Sequence, residues 1–257
     1  MNRFRVLQFN MQFGQGWRDK DPDHAPVDLE ATVAEIRRHE ADIILLQEVE
    51  HAQKGGGQIQ PPPNYAYLER HLAGYHGYFA YPKADPRELP FGIGLAIFSR
   101  APLTGRMRLD LPSPQITFQF RGKPTSPTDR LLIAAHTQVA GRDVQIVNLH
   151  LLAFFMLGAS SEQYLGQREI VSRLMHEAKG AAIFGGDFNT GNHASLTEQF
   201  AAAGFVTVQD SRHTWRRQPL VLDHLFHNAA LRCVGHQVCP TLTSDHHALV
   251  ADFEFAG

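Results

Sequence analysis

Five apolar runs in this chain end or begin on side chains able to do chemistry. Asn10 follows Val6-Leu7-Gln8-Phe9, Glu48 follows Ile43–Gln47, and His150 follows 146–149. Asp187 and Asn189 follow 182–186, and Asp245 and His246 precede 248–250. A strand terminus fixes the backbone and leaves the side chain at a sheet edge, so tips from distant segments can converge. Each alone has an ordinary explanation as a turn former, a cap or a hydrogen-bonded histidine. Together they hold the parts that hydrolysis of a phosphoester needs: neutralised phosphate oxygens, a deprotonated water and a stabilised leaving alkoxide.

Glu48 is the primary candidate ligand for a divalent cation, with Asn10 and Asp245 as further ligands, directly or through water. Mg²⁺ takes one or two carboxylates plus waters and phosphate oxygens, and Mn²⁺ fits the same oxygen set. His150 and Asn189 are donors that can stabilise charge building on phosphate. Asp187 can bind or orient the attacking water. Asp223, next to His224 inside the apolar run 221–226, is costly to bury unless paired. His246 can be its partner, since a carboxylate fixes an imidazole's tautomer and raises its basicity. Whether Asp187 or the Asp223-His246 pair is the base turns on geometry at about 3 Å.

The elements that must position these tips can be read from periodicity. Alternation over 3–10 predicts a strand, Asp28 a helix cap, and the spacing of Leu29, Val33 and Ile36 a helix to Glu40. Residues 51–63, with three glycines and three consecutive prolines, predict a surface loop. A short helix is expected at 65–72 and strands at 92–99, 103–109, 115–120 and 130–139, with a turn at 121–129. Gly141-Arg142-Asp143 predicts a hairpin into a strand ending at His150. Ser160 and Gln163 resemble a capping box for a helix that Gly180 stops. A buried strand at 181–184, a short helix at 195–203 and strands at 221–227, 231–238 and 248–255 complete the chain. Many strands with few helices, and no repeat or linker, point to two packed sheets with helices outside, in one domain over 1–257.

Composition bounds the rest. The 257 residues are 43% hydrophobic and 19% charged, an ordinary globular balance. A net charge of -2 supplies no global positive field, so charge gives nucleic-acid binding no support. The basic clusters Arg100, Arg106, Arg108 and Arg212, Arg216, Arg217 read as solvated surface. Cys233 and Cys239 read as unlinked thiols in a strand. The longest apolar run, 151–159, is too short to span a bilayer, and the N-terminus lacks an apolar signal core, so a cytoplasmic monomer is expected.

The ordered motifs make the sequence similar to the endonuclease/exonuclease/phosphatase superfamily, which includes deoxyribonuclease I, exonuclease III-type repair enzymes, neutral sphingomyelinases and inositol polyphosphate 5-phosphatases. They are Asn10, Leu46-Gln47-Glu48-Val49, Gly92-Ile93-Gly94-Leu95-Ala96-Ile97-Phe98-Ser99-Arg100, Asn148-Leu149-His150-Leu151, Gly186-Asp187-Phe188-Asn189, Leu222-Asp223-His224 and Ser244-Asp245-His246. The resemblance covers nearly the whole chain. It implies an α/β fold, a four-layered α/β/β/α sandwich, with Glu48 as main Mg²⁺ ligand and Asp187, Asn189, Asp223, Asp245 and His246 around the scissile phosphate. Abasic-site repair members favour Thr after the metal-binding Glu, where Val49 stands here, and a tyrosine in the neighbourhood of His150. Deoxyribonuclease-like members give that histidine an acidic partner, for which Glu88 is the candidate.

The reading is a Mg²⁺-dependent phosphoesterase attacking by an activated water, on a small or lipid-headgroup phosphoester suggested by the apolar, aromatic loop 152–157 and the slightly acidic chain. The alternatives are a DNA nuclease of the same superfamily and a non-catalytic binding module. Retention of Glu48, Asp187, Asn189, Asp223 and His246 disfavours the last.

Overall fold

The computed structural model describes residues 3–256. One six-stranded sheet is built from β1 (Arg3–Asn10), β2 (Ile43–Gln47), β4 (His76–Ala80), β6 (Leu95–Ser99), β15 (Leu231–Cys239) and β16 (Ala248–Phe255), in the order β15-β16-β1-β2-β6-β4. The other is built from β7 (Thr104–Leu111), β10 (Arg130–Val139), β11 (Arg142–His150), β12 (Ala181–Asp187), β13 (Phe205–Thr207) and β14 (Asp223–Asn228), in the order β13-β14-β12-β11-β10-β7. Two short ribbons pair β3 (Glu50–His51) with β5 (Gly92–Ile93) and β8 (Phe118–Phe120) with β9 (Lys123–Thr125).

Alternation along each strand decides the layers, because successive side chains point to opposite faces. Val6, Ile43, Leu45 and Ile97 of the first sheet pack against Ile133, Ile146, Ile183 and Leu225 of the second, a dry core between the sheets. The intervening residues Leu7, Phe9, Ile44 and Leu46 face outward onto Val33 and Ile36 of α1 (Leu29–Arg37) and Leu68 of α2 (Pro63–His71). On the far side Val147, Phe184 and Phe226 meet Val171 and Met175 of α3 (Gly166–Glu177) and Phe200 of α4 (His193–Ala202). The result is helices, sheet, sheet, helices: the four-layered α/β/β/α sandwich.

Asp28 caps α1 by accepting from the Ala31 backbone N–H at 2.9 Å, as its position predicts. Two expectations are corrected. Gln163 does accept from the Ser160 backbone N–H, but α3 begins only at Gly166. Buried Arg168 donates to Ser161 Oγ and Glu162, which ties that turn to the helix, and α3 itself has no side-chain cap. The turn expected at 121–129 contains a strand, since Arg121 and Gly122, both at positive φ, fold Lys123–Thr125 back on Phe118–Phe120. Strand β4, at the sheet edge, has no apolar alternation strong enough to announce it.

Both cysteines are free, as expected, with Cys239 buried and Cys233 half-buried. Among the described residues no helix is long and apolar enough to cross a membrane.

Candidate active site

Register brings the polar tips together. Asn10 stands beside Gln47 on parallel strands, His150 beside Asp187, and Asp187 beside Asp223. The strand ends of both sheets open on one pocket. Towards that end the inner faces change from aliphatic to polar: Gln8 and Gln47 follow Val6 and Leu45, and Asn148 follows Ile146. These amides form a buried floor. Gln8 Nε2 donates to Gln47 Oε1 (2.6 Å) and to Asp223 Oδ1 (3.0 Å), and Gln47 Nε2 donates to Asn148 Oδ1 (2.7 Å). Asn148 in turn donates to the backbone carbonyls of Leu46 and Ala96, tying one sheet to the other.

Above this floor Asn10 donates to Glu48 Oε1 at 3.0 Å and to Asp187 Oδ2 at 3.1 Å, while its own carbonyl accepts from the Gln12 backbone. The amide therefore clamps two carboxylates side by side. Glu48 sits in the left-handed region at φ 51°, and Gly92 makes room for it: a Cβ there would lie 2.3 Å from the Glu48 Cβ. His150 Nε2 lies 3.9 Å from Glu48 Oε1 and 3.6 Å from Asp187 Oδ2.

On the other flank His246 places Nδ1 2.8 Å from Asp223 Oδ2 and turns Nε2 to within 3.7 Å of Asp187 Oδ2. The pairing of Asp223 with His246 that burial demanded is thus present. His224 points to the opposite face, between Thr207, His193 and Phe188, and takes no part. Asp245 is held by Trp215 Nε1 (3.2 Å) and Arg217 Nε (2.9 Å), both on the same oxygen. Asn189, at φ 45°, donates its side-chain amide to the Leu151 carbonyl and its backbone N–H to Asp187 Oδ1.

Two features were not foreseen. The Gln8, Gln47 and Asn148 floor is hidden because amides inside apolar strands carry no motif. Arg130, at the site end of β10, lies close enough to lower the pKa of both Glu48 and His150. Its guanidinium explains the fate of Glu88, the expected partner of His150. Glu88 accepts from Arg130 (3.3 Å) and Thr128 (2.7 Å), leaving Glu48 and Asp187 as the carboxylates beside His150.

The electrostatics show what this pocket lacks. Burial, with Asp245 nearby, pushes Glu48 up to about 7. Burial, with Asp223 and Glu48 adding to it, raises Asp187 to about 8. Burial opposes the charge on His246, but Asp223, Asp187 and Asp245 outweigh it and hold its pKa at about 10. His150, buried and near Arg130, is lowered to about 3 and is neutral. Carboxylates made to keep their protons by burial first, and then by one another, are a donor set short of positive charge. Oxygens of Glu48 and Asp187 and a nitrogen of His150 lie within 4.8 Å of one another, a set that fits a hard divalent cation.

The comparisons agree with this architecture. The chain is 29% identical over 118 residues to a protein called UPF0294 from Vibrio campbellii, an alignment spanning 44% of this chain and 40% of that one. A solved endonuclease/exonuclease/phosphatase structure from Beutenbergia cavernae superposes with a TM-score of 0.73 at 21% identity, covering 100% of this chain and 72% of that one. The human Nocturnin catalytic domain with bound sulfate superposes with a TM-score of 0.67 at 22% identity, covering 99% of this chain and 95% of that domain. At such identities the likeness is one of fold. The family model of the Endonuclease/Exonuclease/phosphatase family matches residues 7–246, from the first strand to His246, and the chain belongs to that family.

Proposed function

We infer that the chain, acting over 1–257 as one catalytic unit, is a metal-dependent phosphoesterase that hydrolyses a phosphodiester or phosphomonoester by in-line attack of an activated water. The carrying observation is the juxtaposition of a carboxylate pair clamped by Asn10 with an aspartate-oriented histidine, both meeting at Asp187. Glu48 and Asp187 would hold Mg²⁺ or Mn²⁺, with Asn10 and Asp245 beside them. The cation would neutralise phosphate oxygens and the leaving group's charge.

The chain's own groups perform the remaining tasks. Asp223, fixed by Gln8, holds His246 Nδ1 and so directs Nε2 into the pocket. With Asp187 deprotonated by a bound cation, the Asp187 and His246 pair, whose facing atoms are 3.7 Å apart, would have room for one further proton, taken from the attacking water. Neutral His150 donates towards a phosphate oxygen or the leaving group, Arg130 adds fixed positive charge, and Asn189 borders the same space.

The substrate reading is a small or lipid-headgroup phosphoester, cleaved on the cytoplasmic side. The Phe155 ring lies 5.5 Å from that of Trp215, whose ring lies 6.4 Å from that of His246, so the surroundings of the base are aromatic. Hydrolysis of nucleic acid is the second reading, which the net charge of -2 does not support. A panel of phospholipids, inositol phosphates, nucleotides and DNA, run with Mg²⁺ and with Mn²⁺, decides between them. A nuclease should also lose DNA affinity steeply with salt. Glu48→Gln should abolish metal-stimulated turnover, and His246→Ala or Asp187→Ala should lower turnover by about two orders of magnitude or more with the fold intact. Unchanged turnover in Glu48→Gln would sink the metal mechanism.

A further inference from the structure

The pairing directions place one set of loops around the pocket: 11–28, 48–62, 81–94, 112–129, 151–165, 188–192, 208–222 and 240–247. Nine large hydrophobic side chains are exposed among the described residues. Six of them, Val27, Ile59, Phe91, Met156, Leu165 and Leu242, lie on these loops, and the other three lie on strands. The turns at the opposite end carry none. Singly, such residues need no explanation. Their confinement to the end of the sandwich that holds the pocket does.

They are also joined to the site. Trp17 donates its backbone N–H to the Leu242 carbonyl, and Leu242 is 63% exposed. Met156, 59% exposed, follows Phe155, whose ring packs tilted against Trp215 beside His246. Phe91 precedes Gly92, the residue that makes room for Glu48, and its ring meets Phe120 at 5.6 Å. Arg18, Lys20, Lys54, Lys83, Arg121 and Lys123 on the same loops are exposed, with no carboxylate within salt-bridge distance among the described residues.

We propose that this ring is a membrane-docking surface that seats the mouth of the pocket on an anionic bilayer, so that the phosphoester is presented from the lipid. Apolar residues spaced around an opening, with free cations among them, match a planar partner that meets every side of the mouth at once. Apolar tips enter the headgroup boundary while the cations meet anionic headgroups. The lipid substrate rests on the phosphoesterase reading above, whereas docking itself does not.

Vesicle flotation tests it, using the full chain with phosphatidylcholine vesicles and with phosphatidylcholine–phosphatidylserine vesicles. The wild type should float with the anionic vesicles, more weakly at high salt. Ile59→Glu/Met156→Glu/Leu242→Glu should bind about tenfold or more weakly, with circular dichroism and turnover of a soluble phosphodiester dye unchanged. Leu242→Glu alone gives the same readout if the triple variant does not fold. Arg121→Glu/Lys123→Glu should lose only the salt-sensitive part. A wild type that floats with neither vesicle, or a triple variant that floats like the wild type, overturns the proposal. So does a ring that holds two copies of the chain together in solution instead. A protein that floats but cleaves no phosphoester would retain the docking surface and overturn the phosphoesterase reading alone.

Discussion

Glu48 and Asp187 carry their conflict in their protons. Glu48 is half-buried and Asp187 buried beside other carboxylates, and each is held above its ordinary range, at about 7 and about 8. Between the unfolded and folded pKa values the folded state binds protons that the unfolded state has released. The stability that this pair contributes to the metal-free protein is therefore full below about pH 4 and is lost as pH rises through 7 to 8. Mg²⁺ reverses the cost by binding the deprotonated pair in the folded state only, so its stabilising effect should grow with pH over that window. Melting temperatures from pH 5 to about 8.5, with chelator and with Mg²⁺, check this. A Mg²⁺ effect independent of pH would contradict the assignment. Most of these residues were legible in the sequence because each ends an apolar run. Arg130 was not, because an arginine at a strand start looks like any solvated cation, and only register places it beside His150.

The strands do more than present their tips. Glu48 holds its left-handed backbone only because the ribbon of β3 and β5 delivers a residue without a side chain against it. Gly92→Ala would force a Cβ to 2.2 Å from Glu48 Oε2. The carboxylate should rotate off Asn10, at a cost of about 1–3 kcal/mol in stability and a fall of about tenfold or more in metal affinity. Denaturant melts and calorimetric Mg²⁺ titration read the two effects separately. Elements with strong periodicity, such as α1 with its Asp28 cap and the hairpin of β10 and β11, were foreseeable at this scale. The edge strand β4 and the ribbon of β8 and β9 were not. The pairing of β4 is supplied by β6 alone, and Arg121 and Gly122 reverse a chain that has few apolar residues to signal a strand.

At the scale of the molecule, the two sheets are joined at the site end by one polar ladder within a mostly apolar interface. Asn148 is its hinge pin, receiving from Gln47 and donating to Leu46 and Ala96. Asn148→Ala leaves the buried Gln47 amide N–H without its partner and removes two donors to the carbonyls of Leu46 and Ala96, at about 1–3 kcal/mol for a group that water cannot reach. The variant should melt several degrees lower, with turnover reduced further than the loss of folded protein explains. A stability equal to wild type would show that the ladder is not what fixes the sheets. The α/β/β/α layering followed from alternation read along single strands. The ladder did not, because its members come from β1, β2 and β11 and meet only after the sheets have packed.

The first strand lies between β2 and β16, so its sheet is closed only when 249–254 pairs with 3–8, and Ser244 Oγ donates to the carbonyl of Asn10 at 2.7 Å. The segment that supplies this closing strand also carries His246, the partner of Asp223. Undocking 244–255 would therefore strip Asp223 of its histidine and bare the edge of β1 in the same event. Local melting of that one strand couples loss of the pocket to a sheet edge open to other chains.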